Sequence, residues 1–86
     1  MRIVFHADAW EDYLRWQTVD RQFLRRLNRI IVECTRTPFD GIGKPEPLRG
    51  DFTGWWSRRI DEEHRLVYRV REDDLIIAQC RYHYRK

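Results

Sequence analysis

The sequence predicts an α+β fold, with an N-terminal strand and a two-helix hairpin packed on a C-terminal antiparallel sheet. Three observations lead there. Residues 9–35 repeat apolar side chains at helical spacing, residues 37–50 are broken by proline and glycine, and residues 55–84 alternate in runs separated by acidic turns. At 86 residues the chain is expected to form one domain, residues 1–86.

Arg2 to His6 (RIVFH) reads as a short strand rich in β-branched residues. Asp8 followed by Glu11 resembles a capping box. A helix is expected from about Ala9 to Gln17, with Trp10, Tyr13 and Leu14 on one apolar face. After a break at Thr18-Val19-Asp20, a second helix is expected from about Asp20 to Thr35. Phe23, Leu24, Leu27, Ile30, Ile31 and Cys34 make its apolar stripe, and Arg21, Arg25 and Arg29 form a basic ridge elsewhere on it. So short a connection makes the two helices an antiparallel hairpin.

Thr37 to Gly50 reads as a loop with a short strand near Leu48, long enough to carry function. A β-meander follows. Its strands are expected at Trp55 to Ile60, Arg65 to Val70 and Leu75 to Tyr84, with turns at Asp61-Glu62-Glu63 and Glu72-Asp73-Asp74. By the strand period of two, His83 would share a face with Leu75, Ile77, Gln79 and Arg81, and Tyr82 and Tyr84 would share the other. The first hairpin carries a geometric test. A three-residue loop would pair Ile60 with His64, set Arg59 opposite Arg65 and put both guanidiniums on one side of the sheet. A two-residue loop would separate them. Clustered arginines repel unless an anion joins them, so the odd loop favours a phosphate site.

The chain has a formal charge of +3, and only two of its 17 basic residues are lysines, which leaves 15 arginines. Arginine grips phosphate through two parallel hydrogen bonds, whereas lysine acts as a point charge. The basic ridge is either a solvated face or a surface for RNA backbone or an acidic protein partner. Cys34 and Cys80 sit in apolar surroundings and are expected to be reduced core thiols, without metal-ligand spacing. No apolar run reaches membrane-spanning length and no signal-peptide pattern opens the chain, so a soluble cytoplasmic protein without membrane partners is expected.

Glu46, Arg59, Arg65, Arg81, His83 and Tyr84 together supply a carboxylate, guanidiniums, an imidazole and a phenol. That set can cut RNA without metal or cofactor: a carboxylate or imidazole moves protons, and arginines neutralise a phosphate whose charge grows in the transition state. Taken singly, each has an ordinary role. A Glu in a Pro-flanked loop is usually solvated, and a His near a chain end is usually exposed. Arg59 and Arg65 could simply pair with Asp61, Glu62 or Glu63. His6 and His64 are structural candidates. Trp10, Trp16 and Trp55 read as core, while Trp56 reads as core or as a platform for base stacking.

The combination resembles the YoeB-type toxins of the RelE/ParE superfamily, ribosome-dependent messenger RNA endonucleases of bacterial toxin–antitoxin pairs. The matching pieces are Trp10-Glu11-Asp12-Tyr13-Leu14, Arg36-Thr37-Pro38-Phe39, Gly43-Lys44-Pro45-Glu46-Pro47-Leu48, Trp56-Ser57-Arg58-Arg59-Ile60, Glu62-Glu63-His64-Arg65-Leu66-Val67-Tyr68 and Cys80-Arg81-Tyr82-His83-Tyr84. They span nearly the whole chain in order. The resemblance implies a RelE-like fold and cleavage of messenger RNA in the decoding site of the ribosome. It also implies neutralisation by a cognate YefM/Phd-like antitoxin with an acidic C-terminal segment, and a capacity to form a homodimer. Carried over by position, Glu46 is the general base, Arg65 and Arg59 stabilise the phosphate, His83 is the general acid and Tyr84 positions the scissile nucleotide. Lys44, Arg49 and Arg81 are then basic groups near the RNA. Arg49 stands where similar proteins often have Lys, and the chain continues through Arg85 and Lys86 beyond the tyrosine at which similar proteins tend to stop.

Two other readings use the same residues. A non-catalytic binder would occupy the ribosome or RNA through the basic face and lose binding at higher salt without making new RNA ends. A ParE-like toxin would share the fold but act on DNA gyrase, and would lack the acid–base set that Glu46, His83 and Tyr84 supply.

Overall fold

The computed structural model describes residues 1–82, so the expectation that the last strand reaches His83 and Tyr84 falls on residues outside the described ones. The elements are β1 (Arg2–Phe5), α1 (Ala7–Val19), α2 (Arg21–Arg36), β2 (Glu46–Pro47), a 3-10 helix (Gly50–Phe52), β3 (Trp56–Arg59), β4 (Arg65–Arg71) and β5 (Asp74–Gln79). The strands form one five-stranded sheet in the order β1-β5-β4-β3-β2. The meander is its antiparallel centre, as expected. β1 adds itself in parallel to β5, and β2 pairs with β3 at the other edge. The sheet is therefore mixed: the helical hairpin carries the chain from β1 at one edge to β2 at the other, and the meander then returns to set β5 in parallel beside β1.

Helix α1 starts two residues earlier than expected. His6 is its N-cap, the Trp10 amide already bonds back to the His6 carbonyl, and no side chain caps the end. The Asp8–Glu11 box therefore does not form. Asp8 sits inside the first turn, where its charge favours the free N–H groups. The buried face also differs. Ala9, Asp12 and Trp16 are buried, whereas Trp10 and Leu14 are exposed. Two polar anchors set this rotation: the Trp16 indole donates to the Cys80 carbonyl at 3.0 Å, and Asp12 Oδ2 accepts the Cys80 amide at 3.1 Å. An apolar stripe read from sequence misses a face organised around a carboxylate.

Helix α2 follows its expected pattern. Asp20 caps it by accepting the Phe23 amide at 3.0 Å, and Phe23, Leu27, Ile30, Ile31 and Cys34 are buried. Trp16 stacks on Phe23 at 3.8 Å between ring centres, while Tyr13 Oη donates to Asn28 Oδ1 at 2.7 Å. The contacts run in opposite directions along the two helices, so the hairpin is antiparallel. Its inner face meets Ile60, Leu66, Tyr68, Leu75 and Ile77, which are fully buried. Each such aliphatic side chain contributes roughly 1.5–3 kcal/mol by leaving water. Cys34 and Cys80 are buried and not joined in a disulfide, and burial pushes the Cys34 thiol up to about 11. Among the described residues no helix is long and apolar enough to cross a membrane.

The last strand is shorter than expected. Tyr68 pairs with Ile77, but Val67 pairs with Gln79, so Ala78 is an extra residue in β5. The bulge moves Gln79 off the face of Leu75 and Ile77, and the strand ends there. Arg81 and Tyr82 lie in a bend, and Tyr82 has φ +62°. The period of two therefore does not carry through to Tyr82.

Candidate active site

Opposite the helices, the sheet presents an open face. Arg59 pairs with Arg65, and the Ile60 amide bonds the His64 carbonyl at 3.0 Å across a three-residue loop. This is the odd register, and it sets both arginines on one side. Ser57 lies two residues before Arg59 and pairs with both Val67 and Glu46. Directly paired residues share a face, so Glu46, Ser57, Arg59, Arg65 and Val67 all belong to it. Ser57 and Val67 are buried as its floor, while Glu46 and Arg59 are exposed at its rim. Arg59 is about 7 Å along β3 from the residue that pairs with Glu46, at the usual rise of a strand.

The acidic turn does not neutralise these arginines. Among the described residues, the ion pairs include no link from Asp61, Glu62 or Glu63 to Arg59 or Arg65. Asp61 instead accepts the Glu63 and His64 amides at 2.9 and 2.7 Å, which shapes the turn. Arg65 is buried, and its Nη1 donates to the Asp61 carbonyl at 2.9 Å. Carbonyls orient a guanidinium without cancelling its charge.

Glu46 is held in place from the opposite side of the sheet. Arg58 points towards the helices, fully buried. It donates to the carbonyls of Ile42 at 3.1 Å, Asp40 at 2.8 Å and Thr37, and to the Tyr68 hydroxyl at 3.2 Å. Its Nη1 lies 3.9 Å from Glu33. One side chain thus organises the loop that leads to Glu46. Tyr68 passes the connection on by donating to the Pro38 carbonyl at 2.5 Å, and burial holds its phenol above the ordinary value. The Gly43 carbonyl accepts the Arg59 amide at 2.6 Å, and a Cβ on Gly43 would meet the Arg59 carbonyl at 2.8 Å. With φ +81°, this position needs glycine both for its conformation and for the close approach. Pro45 and Pro47 then flank Glu46 on an edge strand, where the missing N–H groups cost no ladder bonds.

The other sequence candidates are placed as follows. Lys44 is exposed beside the Gly43–Arg59 contact, at φ +51°. Arg49 is exposed at the opposite end: the Leu48 amide bonds the Trp55 carbonyl, which puts Leu48 roughly 13 Å along β3 from Arg59 by strand rise, and Arg49 one residue further. Arg81 is half-buried, with its guanidinium 4.5 Å from the Tyr82 ring centre. His83 and Tyr84 lie outside the described residues. Trp56 pairs with Tyr68 on the helix side and packs against Phe39 at 4.7 Å, so it belongs to the core layer and not to the open face. Trp55 is half-buried, with the Arg69 guanidinium 5.3 Å from its ring centre. Sequence reasoning named Arg58 without giving it a role. The signal was present, because of two adjacent arginines in a strand one must face the core.

A small α+β scaffold with this open basic face is the scaffold of a group of bacterial toxins. The structure superimposes on a YoeB/ParE toxin from Agrobacterium tumefaciens with a TM-score of 0.95 and 49% identity, covering 98% of this chain and 100% of that one. It matches the toxin in a heterotetrameric YoeB–YefM complex from Staphylococcus aureus at a TM-score of 0.90 and 42% identity, with 98% of each chain covered. In sequence, the chain is 56% identical to toxin YoeB of Streptomyces coelicolor over 84 residues, 98% of this chain and 100% of that protein. The family model for the YoeB-like toxin of bacterial type II toxin–antitoxin systems matches residues 5–84, and the chain belongs to that family.

Proposed function

We propose that this toxin is a metal-independent endoribonuclease that cuts messenger RNA in the decoding site of the ribosome and so stops translation in the cytoplasm. The observation that supports this most is the register that sets Arg59 opposite Arg65 on the face that also carries Glu46. RNA brings its own nucleophile. Glu46 takes the proton of the 2′-hydroxyl, and the oxygen attacks the adjacent phosphorus. Arg65 and Arg59 hold the phosphate while the pentavalent species gathers charge, and His83 protonates the departing 5′-oxygen. The products are a 2′,3′-cyclic phosphate and a 5′-hydroxyl. Tyr84 positions the scissile nucleotide, and Lys44, Arg49 and Arg81 meet the RNA backbone. The ribosome supplies substrate orientation, which can exceed the chemical terms.

A relative from Staphylococcus aureus is held in complex with YefM, and that toxin also forms a dimer. For this chain we propose a YefM-like antitoxin whose acidic C-terminal segment covers the basic face, and a homodimer in its absence. The test of the cleavage reading is primer extension on a defined messenger RNA, with and without programmed ribosomes. The wild type is expected to cut within the decoding-site codon only when ribosomes are present. Glu46→Ala should slow the cut by about 10²–10⁴-fold and Arg65→Ala by about 10²–10³-fold. Blocked translation with intact RNA would support a non-catalytic binder instead. An effect on gyrase alone would support a ParE-like target.

A further inference from the structure

His64 stands next to Arg65 in sequence and is buried, and the catalytic assignment leaves it without a role. Its Nδ1 accepts the backbone N–H of Tyr82 at 2.7 Å. The backbone N–H of the next residue, Arg65, donates to the carbonyl of the same Tyr82 at 2.8 Å. His64, just before β4, and Arg65, its first residue, thus grip both backbone polar groups of Tyr82. The ladder has ended three residues earlier, at Gln79, so this grip replaces strand pairing where pairing has stopped. Tyr82 needs it, because φ +62° is a conformation that bulky residues rarely adopt unless their surroundings impose it.

The imidazole is itself fixed. Trp16 from α1 and Phe23 from α2 meet it edge-on at 4.9 and 5.3 Å. The Tyr82 ring packs at 5.7 Å, and the His64 amide is held by Asp61 at 2.7 Å. Acceptance at Nδ1 requires the neutral tautomer that carries its proton on Nε2, and that nitrogen lies 3.6 Å from Glu63.

We infer that His64 is a positioning residue: its Nδ1 lone pair fixes the peptide of Tyr82, the residue before His83 in sequence, against the start of β4 at Arg65. The claim rests on the endonuclease reading for its effect on cleavage, but the hydrogen bond can be tested apart from it. His64→Phe keeps an aromatic ring between Trp16 and Phe23 and removes the acceptor, whereas His64→Asn returns an oxygen close to the Nδ1 position.

The experiment follows two readouts on wild type and both variants. Amide hydrogen exchange reads the Tyr82 N–H, with nitrogen shifts of the wild-type ring reporting its tautomer, and primer extension on programmed ribosomes reads cleavage. Protection of the Tyr82 amide should fall by about tenfold in His64→Phe, the scale of one net hydrogen bond, and return in His64→Asn. Cleavage should follow the same order while thermal unfolding still shows a cooperative fold. Equal protection in wild type and His64→Phe, or the Nδ1-protonated tautomer, overturns the inference. So does lost protection with unchanged cleavage, or failure of His64→Asn to recover either readout. A wild type that does not cleave while the amide responds as expected would overturn the endonuclease reading and leave the clamp standing.

Discussion

Arg58 and Arg59 are neighbours in β3, yet Arg58 is fully buried under the helices and Arg59 is exposed on the open face. The same side chain does opposite work on the two sides of one sheet. Towards the helices, the guanidinium is surrounded by carbonyls of the Gly/Pro loop and the Tyr68 hydroxyl, so all its capacity goes into structure. On the open face, Arg59 stands across from Arg65 and keeps its charge available. The difference teaches that arginine content alone says little about a nucleic-acid site. The side of the strand decides.

The largest effect should come from the buried side. Arg58→Met keeps bulk but abandons the loop carbonyls and Glu33, and should destabilise the fold by about 3–5 kcal/mol in urea unfolding. Arg58→Lys should recover only part of this, because an ammonium cannot reach four acceptors in a fork. A near-neutral Arg58→Met would break the comparison. On the open side the pattern should invert. Arg59→Ala should stay within about 0.5 kcal/mol of wild type in the same measurement. Its rate of ribosome-dependent cleavage should nevertheless fall by about 10²-fold.

Tyr68→Phe sharpens the buried side. It leaves the Pro38 carbonyl and one Arg58 donor without their partner and should cost about 1–2 kcal/mol. The smallest effect lies at the parallel edge. Arg2 grips Asp74 through two hydrogen bonds of 2.8 and 2.9 Å, and this pairing holds the Asp74 carboxyl below its ordinary value of 3.8. The unfolded chain therefore binds the proton first as pH falls. The contribution is complete above about pH 3.8 and is lost as pH falls through the lower folded value. Melting curves of wild type and Asp74→Asn should differ slightly near neutrality and converge in strong acid.

Much of this arrangement was legible in sequence. The α2 stripe, the Asp20 break and the acidic turn are local patterns, but the sequence left the turn at two or three residues, and the structure decides for three and so sets Arg59 on one face with Arg65. What escaped depends on long-range partners. The rotation of α1 is set by Asp12 and Trp16 reaching the backbone of Cys80, 68 and 64 residues away. The extra residue at Ala78 is invisible because its cause is pairing with β4. The joining of β1 in parallel to β5 is equally non-local. The residues of the proposed site come from the family resemblance, and the structure adds that Glu46, Arg59 and Arg65 share one face. The roles of Arg58 and His64 were not, because both act through backbone groups of distant segments.

The central claim is that Arg59 and Arg65 serve one phosphate because the hairpin register places them on one face. A double-mutant cycle tests it most directly, using single-turnover cleavage on programmed ribosomes with Arg59→Ala, Arg65→Ala and the pair. If both hold the same phosphate, the double variant should lose far less than the product of the two single losses. A double loss equal to that product would mean independent sites and would contradict the account.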